Sequence, residues 1–154
     1  IFPAVGAWMK TLEGAGGQAW LFKALHQVDI WKKAGMLPDD ELLWALLFGA
    51  YHEWVAERLV KDGWHPSRAL GEAAHQHLMN PANCVRVPKR IAIGASQLMS
   101  AQASFERVQG KRAERFLRHR SFNDALVYFK FASGVTGRNK ELLHTWLAIR
   151  RRDG

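Results

Sequence analysis

The sequence predicts an all-α fold, an irregular bundle of about seven or eight helices with no sheet. Three observations carry this expectation. Apolar residues recur three and four apart, the spacing that lines one side of a helix. Prolines and glycines fall where such runs begin and end. No pair of alternating apolar and polar runs flanks a hairpin turn. At 154 residues the chain suits one domain, able to bury roughly 70% of the surface that its unfolded form exposes.

The elements follow in order. A short first helix around Trp8 is joined to a second, "AWLFKALHQVDIWKKAG", by "EGAGGQ", residues 13 to 18, the loosest segment of the chain. "LPDDELLWALLFGAYHEWVAERLVKDG" reads as one helix, with Asp39 or Asp40 placed to cap it and Gly63 at its stop. "HPSRALGEAAHQHLMN" has Pro66 in a first helical turn. "VPKRIAIGASQLMSAQASFERVQG" again starts at a proline and ends at Gly110, with Ile91, Leu98, Ala101 and Phe105 near helical spacing. "KRAERFLRHR", "SFNDALVYFKFAS" and "NKELLHTWLAIRRR" complete the set, with Ser121 and Asn139 as caps for the last two.

Charge divides the chain where periodicity does not. Residues 1–80 hold seven Lys/Arg against nine Asp/Glu, a net of −2, and residues 81–154 hold fifteen against five, a net of +10. Six of the seven tryptophans lie in the acidic part, where rings of that size belong mainly to a core. Residues 1–80 therefore read as a packing body and 81–154 as a basic contact surface packed with it in one domain. Segregated basicity makes a directional field and points to a polyanionic partner.

Several classes fall away. The longest apolar stretch, Leu42 to Tyr51, is ten residues, about half of what a bilayer span requires, so no membrane partner is expected. Cys84 is the only cysteine; no disulfide framework is possible, and a cytoplasmic location is expected. The N-terminus has neither an initiating Met nor the pattern of a signal peptide, and the chain is expected to be a piece of a longer protein. "GAGGQA", Gly14 to Ala19, matches a dinucleotide fingerprint, but no strand feeds it. "HEWVA" has Ala56 where a zinc motif needs its second His, and His75 and His77 are two apart, which turns them away from each other on a helix. No metal site and no catalytic residues are expected.

What remains is the basic run. Residues 107 to 120 hold six Lys/Arg and one carboxylate, Glu114. If the chain is helical on both sides of Gly110, then Arg107, Lys111, Arg115 and Arg118 recur at four, four and three residues, one side of a helix, while Phe105, Val108, Phe116 and Leu117 lie toward the body. A helix starting at Lys111 would add unpaired N–H groups beside Arg107, Lys111 and Arg112. Lys89 and Arg90 repeat the bias. Nucleic-acid phosphates are the expected ligand, and Lys89, Arg90, Arg107, Lys111, Arg112, Arg115 and Arg118 are the candidate contacts, RNA-binding residues if the polyanion is RNA.

"VPKR" (87–90), "RVQGKRAERFLRHRSFNDAL" (107–126) and "NKELLHTWL" (139–147) resemble the C-terminal region of bacterial poly(A) polymerases, which belong with the CCA-adding tRNA nucleotidyltransferases. The specific part is Gln109, Gly110, Lys111, Arg112 and Ala113, followed by Leu117, His119 and Phe122; the resemblance runs from about residue 40 to the end. It implies a template-independent enzyme that adds nucleotides from ATP to RNA 3′ ends with Mg²⁺. ATP and Mg²⁺ are held in such enzymes by a head domain with a Gly-Ser motif and an Asp-x-Asp pair, neither of which is in this chain. Asp39 and Asp40 lack that setting and read as helix caps. The fragment alone is expected to be inactive, with no cofactor of its own. The alternative is a free-standing helical nucleic-acid-binding module.

Overall fold

Among the described residues of a computed structural model there are ten helices, α1 (Pro3–Met9), α2 (Ala15–Lys33), α3 (Asp40–Leu47), α4 (Gly49–Lys61), α5 (Pro66–Leu78), α6 (Lys89–Ser100), α7 (Gln102–Arg107), α8 (Lys111–Leu117), α9 (Phe122–Thr136) and α10 (Lys140–Asp153). The structure describes residues 2–11, 13–107 and 110–153, and among these there is no strand. The all-α expectation holds. The helix count exceeds seven or eight because two long helices are broken.

The first break lies at Phe48, between α3 and α4. Gly49 has its backbone against the ring of Trp20 and the hydroxyl of Tyr128, where no Cβ fits. Around the break, α3 buries Leu42, Ala45 and Leu46 in the main core, whereas α4 packs Ala56 against Ala69 and Ala73 of α5. The second break lies at Ala101, between α6 and α7. The Gln102 side-chain amide donates to the carbonyls of Leu98 and Ala125, each at 3.1 Å, so carbonyls inside the fold keep a partner.

The "EGAGGQ" segment is no loose linker. α2 starts at Ala15; Gly14 lies against the Trp8 backbone carbonyl and Gly17 directly beneath the Trp8 indole. Small residues are there so that a large ring can approach a helix backbone. Asp39 occupies the cap position of α3 with extended backbone, but its side chain makes no capping bond. Pro66 and Pro88 precede or open helices as expected, and Gly63 stops α4 with φ +106°.

One apolar core draws on both charge halves, from Trp20, Leu42 and Leu46 through Met99 and Phe105 to Tyr128 and Trp146. The tryptophans read as core are largely that. Trp8, Trp20 and Trp146 are buried, Trp31 and Trp44 pack against the core from its edge, and Trp64 is exposed. Two of the three buried indoles have a partner for their N–H: Trp20 Nε1 donates to the Leu46 carbonyl and Trp146 Nε1 to that of Phe105, both at 2.8 Å, while Trp8 Nε1 has none among the described residues. Phe105, Phe116, Phe122, Phe129 and Trp146 form a ring cluster joining α7, α8, α9 and α10. No helix among the described residues is long and apolar enough to cross a membrane.

Candidate nucleic-acid interface

The basic run is held by the aromatic cluster beneath it. Phe105 and Phe116 are buried with ring centroids 4.9 Å apart, which fixes the end of α7 against α8. Leu117 is partly buried against the same core. Val108 and Gln109, also named from the sequence, lie outside the described residues. Gly110 has φ +63° and ψ −131°, a conformation essentially reserved for glycine. The cations therefore do not ride on one continuous helix: Arg107 ends α7, whereas Lys111, Arg112 and Arg115 belong to α8 and Arg118 caps it.

All five of these cations are exposed, and none forms an ion pair among the described residues, where the only such pairs are Arg58–Glu13 and Arg90–Glu41. On α8 the division of labour is sharp. Ala113 and Phe116 face the core, and Lys111, Arg112 and Arg115 face water. The helix-end contribution expected at Lys111 is small, because α8 has seven residues and its Ala113 and Glu114 N–H groups already donate to the Gly110 carbonyl. The charge of the side chains carries the surface.

The resembling motif divides in the same way. Gly110 supplies the turn, Ala113 fits a tight place, Phe122 is core, and the His119 Nδ1 accepts from the Ser121 N–H at 3.1 Å to set the start of α9. Lys111 and Arg112 have no such structural duty.

Lys89 and Arg90, in the first turn of α6, lie elsewhere. They border a cleft of about 720 Å³ together with Arg120, which the candidate set omitted although it stands in the quoted run. Below this basic rim are Asp39, Glu41 and Asp124. Arg90 reaches Glu41 at 3.8 Å with a side chain 82% exposed, a geometry that contributes little to stability. Burial, the neighbouring Asp39 and Glu41 charges and a hydrogen bond to Asp39 hold the Asp124 carboxyl above its usual range. The cleft joins cationic and anionic groups, so its field is less positive than that of the α7–α8 surface.

These carboxylates do not suit the Mg²⁺ that the resemblance implies. Asp124 holds its proton more firmly than a free carboxyl does, and Glu41 faces Arg90. Among the described residues no three His, Cys, Asp or Glu are grouped to hold a metal ion.

Two buried polar groupings went unseen in the sequence. His52 and His77, 25 residues apart, meet with Nε2 and Nδ1 at 2.8 Å. Glu53 on α4 lies beside Tyr128 on α9, and burial above all pushes its carboxyl up to about 7, against the opposing pull of Arg138. Burial and the Glu53 charge in turn raise the Tyr128 hydroxyl well above its ordinary value. No local spacing signals contacts of this kind.

No curated protein matches the chain. A family model, the polymerase A arginine-rich C-terminus, matches residues 62–153, from the end of α4 to the end of α10, a later start than the resemblance near residue 40. That match takes in more than half of the sequence and every cation of the α7–α8 surface, and the chain belongs to the family of poly(A) polymerase arginine-rich C-termini.

Proposed function

We propose that the chain is the RNA-binding body of a polynucleotide adenylyltransferase, gripping the RNA backbone while nucleotides from ATP are added to the 3′ end. Its own residues bind and orient. Arg107, Lys111, Arg112, Arg115 and Arg118 neutralise phosphates, and the aromatic cluster holds their two helices in a fixed relation. Lys89, Arg90 and Arg120 offer a second, weaker contact. ATP and Mg²⁺ chemistry belongs to the head domain of such enzymes, and no step of it is routed through this chain.

The observation that carries the reading is five exposed cations that form no ion pair among the described residues, on a surface inside the family match. Most protein–nucleic acid affinity of this type is sequence-independent and comes from released counterions. Fluorescence anisotropy with labelled single-stranded RNA over a range of salt tests it. Reversing Lys111 and Arg115 to Glu together should weaken binding strongly, and reversing Lys32 and Lys33 on α2 should matter little. Unchanged affinity in the first pair, measured on folded protein, would show that the run is only a solvated surface.

A further inference from the structure

The outer side of α2 is apolar where contact with water favours polar residues. Among the described residues ten large hydrophobic side chains are exposed, and five of them, Phe22, Leu25, Ile30, Met36 and Leu37, lie in α2 and the segment just after it. Phe22 is 68% exposed. Such a concentration on a folded domain marks an interaction surface.

Between α2 and α9 the same region opens into a groove of about 630 Å³. Phe22 and Trp31 line it from α2, and Val127, Phe131 and Val135 from α9. Trp31, Val127, Phe131 and Val135 also pack on the main core from its edge, so an apolar guest laid here extends that core outward. Gly134 leaves a gap in the α9 wall: among the described residues, chain neighbours aside, no atom stands within 4 Å of the place a Cβ would take. The groove shares no residue with the α7–α8 surface or the Lys89–Arg90 cleft.

The charge at its rim has one sign. Lys23 lines it from α2 and Lys130 from α9, with His26 beside them, and none of its lining residues is a carboxylate. Both lysines are exposed, and neither forms an ion pair among the described residues. General basicity does not account for this, because α2 belongs to residues 1–80, whose net charge is −2. α2 adds Lys32 and Lys33 in its last turn, and its one carboxylate, Asp29, does not line the groove.

The walls dictate the form of the guest. Both are helices whose backbone groups bond internally, so a strand laid between them would leave its own N–H and C=O groups unpaired over an apolar floor. A helix arrives with those groups satisfied. From Phe22 to Trp31 the α2 wall rises over roughly 13 Å at about 1.5 Å per residue. That matches two to three turns of a guest, which present anchors at i, i+3 or i+4, and i+7.

We propose that the groove between α2 and α9 docks an acidic amphipathic helix supplied from outside this chain. Its large apolar residues fill the space over Trp31, Val127 and Phe131, and Asp or Glu on its flanks meet Lys23 and Lys130. The proposal holds whether or not the chain binds RNA.

The test uses the whole chain and two labelled peptides of about 18 residues, long enough to hold a helix. Both carry leucines at alternating third and fourth positions, flanked by glutamates in one and by lysines in the other. In fluorescence anisotropy the glutamate peptide should bind about tenfold more tightly or better, since like charges oppose docking of the other. Lys23→Glu together with Lys130→Glu should reverse that order. Gly134→Leu, which sets a side chain into open space and suits a helix, should abolish binding of the glutamate peptide. Lys111→Glu together with Arg115→Glu should leave it unchanged, which separates docking in the groove from attraction to the basic surface. Equal affinity for the two peptides, binding of neither, or binding that survives in folded Gly134→Leu protein overturns the proposal. A dimer in sedimentation that Gly134→Leu dissociates would put a second copy in the groove, and loss of single-stranded RNA affinity in that variant would put nucleic acid there; either result also overturns it.

Discussion

His52 on α4 and His77 on α5 face each other inside the protein, with Nε2 of the first 2.8 Å from Nδ1 of the second. Their other nitrogens, His52 Nδ1 and His77 Nε2, are buried without partners among the described residues, and the rings of Phe48 and Tyr51 close around them. Burial lowers His77 to about 4 and holds His52 well below its ordinary value, with the charge of His77 as a second cause for His52. The unfolded chain takes up protons near the ordinary value of 6.5, and the folded protein resists them. Stability is therefore full above pH 6.5 and is lost as the pH falls toward 4. For His77 alone the loss approaches ~3 kcal/mol. Urea midpoints at a series of pH values should show the decline, and a His77→Gln variant, weaker at neutral pH, should show a flatter one.

Glu53 acts with the opposite sign. Its folded value is about 7 against an ordinary 4.5, so the folded state holds the proton more firmly between those limits. Its contribution is present at low pH and is lost as the pH rises through 7. Glu53→Gln removes the titration, and relative to the unaltered protein it should gain up to about 3 kcal/mol between pH 5 and pH 8.5. Paired urea unfolding curves at those two values check the sign.

Gly110→Ala should cost about 1–3 kcal/mol, because an L side chain at φ +63° and ψ −131° is strained whatever space surrounds it. Among the described residues, chain neighbours aside, no atom stands within 4 Å of the added carbon, so the cost is conformational. RNA affinity should fall with it, since the turn sets how Arg107 meets Lys111. Chemical denaturation and anisotropy on the same preparation would separate the two effects.

Gly49 and Gly134 predict a contrast of sign. A methyl group at Gly49 meets Tyr128 Oη at 2.6 Å and the Trp20 ring, and Gly49→Ala should destabilise by about 1–3 kcal/mol through overpacking. Gly134, inside α9, has open space around its position, and Gly134→Ala should stabilise by about 0.5–1 kcal/mol through helix propensity alone. Thermal unfolding of the two variants should move in opposite directions.

Single alanines at Arg107, Lys111, Arg112, Arg115 and Arg118 should weaken every RNA sequence alike. With about four or five phosphates neutralised on a single strand, log K should fall with log salt at a slope near −3, and each substitution should flatten it by somewhat under one unit. Thermal midpoints should stay nearly constant, since exposed cations add little to stability. A variant that lost affinity only for some sequences would mark base reading at that residue.

Much of the fold was legible because helix periodicity and its punctuation are local. Pro66, Pro88 and Gly63 mark ends that the structure keeps. The breaks at Phe48 and Ala101 were not legible, since each depends on a partner distant in sequence: Trp20 and Tyr128 against Gly49, and the Ala125 carbonyl for Gln102. Gly14 and Gly17 misled for the same reason, because a glycine that admits the Trp8 backbone or ring is indistinguishable in sequence from one that loosens a linker. The exposed cations could be read from charge segregation. Contacts such as His52–His77 and Glu53–Tyr128 exist only once α4, α5 and α9 have packed.

The Trp146 N–H bond to the Phe105 carbonyl ties the last helix to the one that ends in Arg107. A flexible arginine-rich tail loses conformational freedom when it closes on a polyanion, and each long side chain that is immobilised adds to that penalty. Here the backbone that carries the cations is already immobilised by ring stacking beneath it, so the entropic loss has been met during folding. The spacing between charges is then a property of the core. Trimming Phe105 or Trp146, neither of which need touch RNA, should slow association and blur discrimination between single-stranded and double-helical RNA, whose phosphates are spaced differently.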